Sequence, residues 1–452
     1  MSTVKVNTVT TRSGSTLTLG ESGKTVQLAT GASQSGFGRT GTVNWVTTKK
    51  TTNFTAVSGE GYFCDTAASG AFTLTLPSSP SAGDIVGLKD YNGNFATANL
   101  TIGRGGSPIN GANAADIVIK TAGASIFLVY VDATQGWVAT QDDSSTFKGE
   151  SFMVATGGTI TTSPYGNDKI HTFTGPGTFT VCSVASCAAN NLVSYMVVAG
   201  GGGSAADRGG GGGAGGFREL KSPSTGPYTA SPLDGYPTPG NRITVTATGF
   251  PIQVGGGGPA KNSPPFTIGT SGSVSTFSTI SSAGGGGGGR SCTGANGGSG
   301  GASGSNGSGT TSKAGGSGNT PPTTPPQGNN AGTSRDAPAY AQGGGGGATA
   351  VGGNATAGVG GNGGAGATTS INGSATAFAG GGGGGADPPS KGTGGAGGGG
   401  CGASGPYPGS SVAATNGTDN TGGGGGGSNG GGGSVNGGNG GSGIVIIRYK
   451  FQ

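Results

Sequence analysis

The sequence predicts a mainly β protein: trimeric antiparallel β domains followed by a glycine-rich, polyglycine-II-like layered domain that the C-terminal strand ties to a β-sheet. Three observations predict it. Short β-branched and aromatic runs separated by turn residues recur over residues 45–140, and no segment there has a helical period. Glycine changes abruptly at Gly200, from 25 in the first 199 residues to 86 in the last 253, out of 111 in the chain. The sequence then finishes on Gly443 and the strand-like run Ile444-Val445-Ile446-Ile447-Arg448-Tyr449-Lys450-Phe451, which needs a partner because an exposed edge of this kind aggregates.

Residues 1–44 are rich in Ser, Thr and Gly, with short alternations such as Ser15–Gly20 and Thr25–Leu28. Pieces this short bury too little to stand alone, so residues 1–44 are expected to be an N-terminal docking or fibre segment. Residues 45–148 form the clearest globular unit. Strands are predicted at Gly61–Cys64, Phe72–Pro77, Ile85–Asp90, Leu100–Ile102, Ile117–Ile119, Ile126–Val131 and Trp137–Ala139, with turns at Ser81–Asp84 and Tyr91–Asn94. They read as a small antiparallel sandwich or barrel. Its apolar supply is thin, and closure into a trimer would bury the remainder.

Residues 149–452 are expected to form a β base carrying a glycine-rich tip. Ile170–Thr174, Gly177–Val181, Val193–Ala199, Ile243–Thr246, Ile252–Val254 and Ile444–Phe451 supply the base strands. If Val193–Ala199 pairs with Ile444–Phe451, everything between them is a closed excursion from one sheet. The excursion carries glycine clumps, among them Gly209–Gly213, Gly284–Gly289, Gly343–Gly347, Gly380–Gly385 and Gly422–Gly427, separated by inserts that share little with one another. The order open to consecutive glycines is the threefold extended polyproline-II helix, and without side chains such helices can approach closely and bond backbone to backbone. No strict Gly-x-y period runs through the clumps, which excludes collagen.

Composition removes several function classes. Charged residues make up only 9% of the 452 and hydrophobic residues 31%, while a net charge of +5 is spread thinly, with no nucleic-acid footprint. The N-terminus lacks the apolar core of a signal peptide and no apolar run is long enough to span a bilayer, so cytoplasmic synthesis without membrane insertion is expected. Five scattered cysteines make no disulfide framework. The close pair Cys182 and Cys187 either closes a small loop or, as expected for cytoplasmic synthesis, stays as buried free thiols. No metal site is predicted, since His171 is the single histidine and reads as a satisfied strand residue. Only Asp207, Glu219, Asp234, Asp336, Asp387 and Asp419 follow Gly200, all isolated, so the paired carboxylates of a polysaccharide-cleaving enzyme are missing there. No Walker motif occurs, and the chain is expected to be no enzyme and to need no cofactor.

The positive expectation is binding by loops on a rigid scaffold. Candidate inserts are Tyr228 to Tyr236, Arg335 to Tyr340, and Tyr407 between Pro406 and Pro408, with Lys391 and other basic residues beside the clumps decorating one end of the layer. The receptor-binding set is therefore Tyr228, Tyr236, Arg335, Tyr340, Lys391 and Tyr407. The same aromatics could equally cap the edge of the scaffold.

Trp45, Tyr62-Phe63, Thr73-Leu74-Thr75-Leu76-Pro77, Gly83-Asp84-Ile85-Val86, Lys89-Asp90-Tyr91, Tyr130-Val131-Asp132 and Gly136-Trp137 resemble, in that order, virion structural proteins of marine bacteriophages, especially the tail fibres of those infecting cyanobacteria. Gly177–Val181, Tyr195–Gly202, Gly211–Phe217 and Gly443–Ile446 resemble a glycine-rich domain common in such fibres. The clumps are also similar, in composition and arrangement, to the tip adhesins of T-even-type phages, whose polyglycine-II helices pack as a layer. The resemblance implies a homotrimeric tail fibre in the virion. Its N-terminus would dock on tail, baseplate or adaptor proteins, and its tip would meet a host polysaccharide or outer-membrane protein. A non-adhesive neck, collar or head fibre built from the same modules is the alternative.

Overall fold

The computed structural model describes residues 43–111, 116–141, 152–262, 267–305, 312–337, 340–387, 390–405, 412–430 and 436–452. The chain divides into two compact units, Met1–Gly149 and Glu150–Gln452. Apart from its last two residues, the expected docking segment 1–44 lies outside the described residues.

The first unit contains β1 (Asn44–Lys50), β2 (Phe54–Thr55), β3 (Glu60–Cys64), β4 (Phe72–Thr75), β5 (Ile85–Asp90), β6 (Leu100–Gly103), β7 (Ile117–Ile119), β8 (Ser125–Asp132) and β9 (Gly136–Gln141). From β1 to β6 successive strands alternate between two sheets, ordered β1-β3-β5-β8-β9 and β2-β4-β6-β7. The pairs β1/β3, β3/β5, β2/β4 and β4/β6 are parallel, and only β5/β8, β8/β9 and β6/β7 are antiparallel. This corrects the fully antiparallel expectation: the chain coils between the sheets before an antiparallel stretch ends the coil. The physical reason is that period-two alternation fixes which residues face inward but not which strand is the neighbour or in which direction it runs. The turn at Tyr91–Asn94 consequently leads from β5 into the opposite sheet, not into a hairpin. Leu74, Leu76, Leu88, Phe95, Leu100, Leu128 and Trp137 fill the space between the sheets. Gly61 and Gly87 lie side by side in register across β3 and β5, and a β-carbon at either would overlap Val43, and at Gly61 also the Trp45 ring, so the pair forms a trough for these side chains.

The second unit contains β10 (Val154–Thr156), β11 (Thr159–Thr162), β12 (Asp168–Phe173), β13 (Gly177–Ser183), β14 (Ser194–Val198), β15 (Phe217–Leu220), β16 (Gly249–Gln253), β17 (Ser275–Phe277), β18 (Ile280–Ser282), β19 (Ala367–Thr369), β20 (Thr376–Phe378) and β21 (Ile444–Lys450). Its base is two five-stranded sheets, β10-β13-β16-β17-β18 and β11-β12-β21-β14-β15, all antiparallel. As expected, β14 pairs with β21, in the register Ser194↔Arg448 to Val198↔Ile444. Both strands are buried on two faces. Tyr195, Val197, Val445, Ile447 and Tyr449 point into the core between the sheets, while Met196, Val198, Ile444 and Ile446 meet Ala214, Phe217, Ala348 and Phe378 on the other side. That double burial explains why both read as continuous apolar runs. Ile243–Thr246 forms no strand. Its alternation instead seats Ile243 and Val245 in the core, beside a single bridge from Leu192 to Thr244.

His171 is fully buried on β12, with Nδ1 2.7 Å from the Gly157 carbonyl and Nε2 3.3 Å from the Tyr449 hydroxyl. Cys182 and Cys187 are free, but the expected burial fails: Cys182 is exposed, because it sits on the outward face of β13.

Above the base the chain runs out and back repeatedly in short extended rods. The rod 209–216 defines their packing. Its amides at 210, 213 and 216 donate to carbonyls 289, 286 and 283, those at 211 and 214 to 343 and 346, and those at 212 and 215 to 425 and 422. Its carbonyls at 213 and 216 accept from 202 and 199, those at 211 and 214 from 302 and 299, and that at 212 from 382. Partners change with a period of three, and six different rods surround one. The rod 379–385 repeats the pattern, bonding to stretches around 397–400, 361–364, 212, 424–427, 392–395 and 342–345. A period of three in partner choice is what a threefold extended helix imposes.

Space, and not backbone freedom, demands glycine in these rods. Of the described glycines after Gly200, positive φ occurs at Gly358, Gly373, Gly397, Gly398, Gly405 and Gly422, mostly at turns. By contrast a β-carbon on Gly212, Gly286 or Gly382 would overlap the carbonyl of Gly202, Ala295 or Gly425 respectively.

Candidate functional site

Because the rods alternate in direction, the connections between them collect at two ends. One end meets the base sheets, and the other, the distal end, gathers residues 204–208, 259–262, 290–293, 303–305 with 312–313, 334–337 with 340–341, 386–387 with 390–391, and 403–405 with 412. Single bridges tie several of these together: Arg335 to Ala341, Ala341 to Ala386, Ala386 to Ser404 and Ser404 to Val412.

The predicted binding residues divide between the two ends. Arg335 is exposed at the distal end, where its backbone exchanges both hydrogen bonds with Ala341. Tyr340 is half-buried under the Arg208 guanidinium, which stands 4.8 Å from its ring centroid. Lys391 follows Ser390, which bridges Val359 at a neighbouring distal turn. Tyr228 belongs instead to the core beneath the layer, 8% exposed, with the Arg448 guanidinium 4.7 Å from its ring. Tyr236 also lies at the base, packed against the core between the sheets and covered by Arg242 at 4.4 Å. Tyr407 lies outside the described residues. Of the set, Arg335, Tyr340 and Lys391 therefore share the distal end, while Tyr228 and Tyr236 belong to the base.

Other residues join the distal group. Asp207 pairs with Arg290, whose Nε also donates to the Asp207 carbonyl at 2.9 Å. Arg208 donates its amide to the Asn429 carbonyl at 3.2 Å. Asp387 donates its amide to the Tyr340 carbonyl at 3.2 Å. Among the described residues, the side-chain oxygens Asp387 Oδ1, Gln342 Oε1 and Asn429 Oδ1 are buried without a hydrogen-bond partner, as is Arg208 Nε. Among the described residues the distal turns carry six basic side chains, Arg208, Lys261, Arg290, Lys313, Arg335 and Lys391, against three acidic ones, Asp207, Asp336 and Asp387. Among the described residues this end is net positive, with the Tyr340 ring and the exposed Arg335 side chain at its surface.

Lys261 and Lys313 escaped sequence reasoning. Counting the reversals would have found them, since every second connection lands on the same end, but rods such as 269–272 and 313–318 carry Thr, Ser, Lys or Ala among their glycines and do not read as clumps.

Comparison with protein-family models matches the glycine-rich domain over residues 172–450. The chain belongs to the glycine-rich domain family. The matched region starts within β12 and stops at the last residue of β21, two strands that pair in the base. The matched glycine-rich region thus includes the base strands β13 to β18 and β21 with the whole excursion between β14 and β21, while β10, β11 and most of β12 precede it. A search of curated proteins finds none that matches.

Proposed function

We propose that this protein is a phage tail fibre protein that recognises and attaches to the host surface through the distal turns of its glycine-rich domain. One observation carries the reading. Asp207 and Arg208 occupy consecutive left-handed conformations, with φ of 55° and 64°, at the first distal turn. Such conformations cost a non-glycine residue about 1–3 kcal/mol each. In a stretch where glycine is the commonest residue, a strained turn that keeps Asp and Arg is one that needs their side chains. The net positive distal end suits an anionic bacterial surface. Loops held by a rigid scaffold can change chemistry without unfolding what supports them. The role is binding and not catalysis. The protein assembles as a homotrimer whose N-terminal segment docks on tail or baseplate proteins, and three identical tips multiply modest contacts by avidity.

The test is adsorption of particles carrying Arg335→Ala/Lys391→Ala or Tyr340→Ala. At least a tenfold slower adsorption with an unchanged melting temperature is expected. Particles that adsorb like the parent would remove the distal turns from receptor binding and favour a non-adhesive neck, collar or head fibre.

A further inference from the structure

At the base of the second unit, remote from the distal turns, three connections enclose a cavity of about 310 Å³: the β11–β12 turn, residues 226–229 and the β19–β20 turn. Its wall includes Pro164, Tyr165, Pro227, Tyr228, Ser370 and Arg448. We propose that this cavity is a binding site for a single neutral sugar ring.

Three features define the ligand. The first is an aromatic platform: Tyr165 is 65% exposed, yet its turn is fixed by the Gly166 amide donating to the Ser163 carbonyl at 2.9 Å and the Ser163 amide to the Asp168 carbonyl at 2.9 Å. A large ring held rigidly in solvent at a cavity mouth presents an apolar face to stacking, as the C–H face of a pyranose requires. The second is a buried donor. Arg448, 1% exposed, spends Nε and Nη2 on Asp168 at 2.7 Å, and Nη1 and Nη2 reach the Ile371 and Pro227 carbonyls only at 3.5 Å. A guanidinium has five N–H groups, so donor capacity is left over for a hydroxyl. The third is charge balance: Asp168 neutralises Arg448, so the cavity has no net attraction for an anion, and the guanidinium edge with the Ser370 hydroxyl makes it too polar for a hydrocarbon. The volume lies at the lower end of the roughly 300–1,000 Å³ of small-ligand sites, which fits one ring and not a chain.

The site is independent of the distal surface, and so is its test. Saturation-transfer NMR of the full chain with the methyl glycosides of glucose, galactose, mannose and rhamnose is expected to give transfer to at least one of them. Tyr165→Ala should weaken that binding at least tenfold, Tyr165→Phe should keep it within about threefold, and Arg335→Ala/Lys391→Ala should leave it unchanged. Tyr165 is exposed, so its variants should retain the parent's melting temperature. The proposal is overturned if no glycoside receives saturation, if Tyr165→Ala binds like the parent, or if the distal variant loses the signal.

Discussion

The β coil of the first unit and the rod layer of the second both make a rigid body, by opposite means. In the coil, Leu74, Leu88, Leu100 and Trp137 are wholly buried, and stability comes from apolar area removed from water. In the layer the interior is backbone. Gly212 and its neighbours are close-packed with no side chain at all, and what a central rod such as 209–216 offers is hydrogen bonds to the six around it. One such bond contributes about 1 kcal/mol net, no more than the roughly 1–2 kcal/mol of backbone entropy lost per ordered residue. The layer therefore depends on being anchored at both ends to β14 and β21, where apolar burial is dense. The difference teaches that a chain poor in hydrophobic residues can concentrate them in a base and extend from it a scaffold that needs almost none.

The largest expected effect tests whether close approach is what holds the layer. Gly382→Val places a branched side chain against the Gly425 carbonyl and should cost about 3 kcal/mol or more, or prevent folding of the second unit. Gly256 belongs to a clump as well, but a β-carbon there meets nothing, so Gly256→Ala should shift the melting temperature hardly at all. Equal melting temperatures for the two variants would break the contrast.

A somewhat smaller effect is expected in the coil, where the rule inverts and losing volume is what hurts. Leu74→Ala should destabilise the first unit by about 2–5 kcal/mol in urea unfolding. A loss under 1 kcal/mol would mean that the coil is not held by its side-chain core.

The smallest effect concerns the base and depends on pH. Burial pushes the His171 imidazole below its ordinary value near 6.5, with the Gly157 hydrogen bond opposing. The unfolded chain then binds more protons than the folded one, so this contribution is complete above about pH 6.5 and is lost as pH falls through it. Burial acts the other way on Glu219, raising its carboxyl above 4.5, so its contribution declines as pH rises above that value. The informative comparison is parent against His171→Gln: from pH 7.5 to 5.0 the parent should lose more of its urea midpoint than the variant. Parallel losses would show that His171 accepts its proton in the folded state.

Much of this architecture was legible in the sequence. The pairing of β14 with β21 followed from two apolar runs flanking the glycine, since a buried strand must find a partner and few candidates existed. Glycine's role followed from chemistry too, because only a residue without a β-carbon allows backbones to meet. The candidate site was half legible: Arg335, Tyr340 and Lys391 stood beside clumps, and so did the distal Arg208 and Arg290. What the sequence determined by itself was local: which residues extend, which face inward, and where side chains are forbidden. Only the tertiary structure decided that β1, β3 and β5 run parallel, that Tyr228 and Tyr236 lie at the base, and that Arg448, a buried charge in an otherwise apolar stretch of β21, meets Asp168 across 280 residues of chain. The reason is physical. Alternation and composition constrain each segment against water, whereas the direction of a neighbour and the parity of a reversal are set by contacts between segments far apart, which local pattern does not encode.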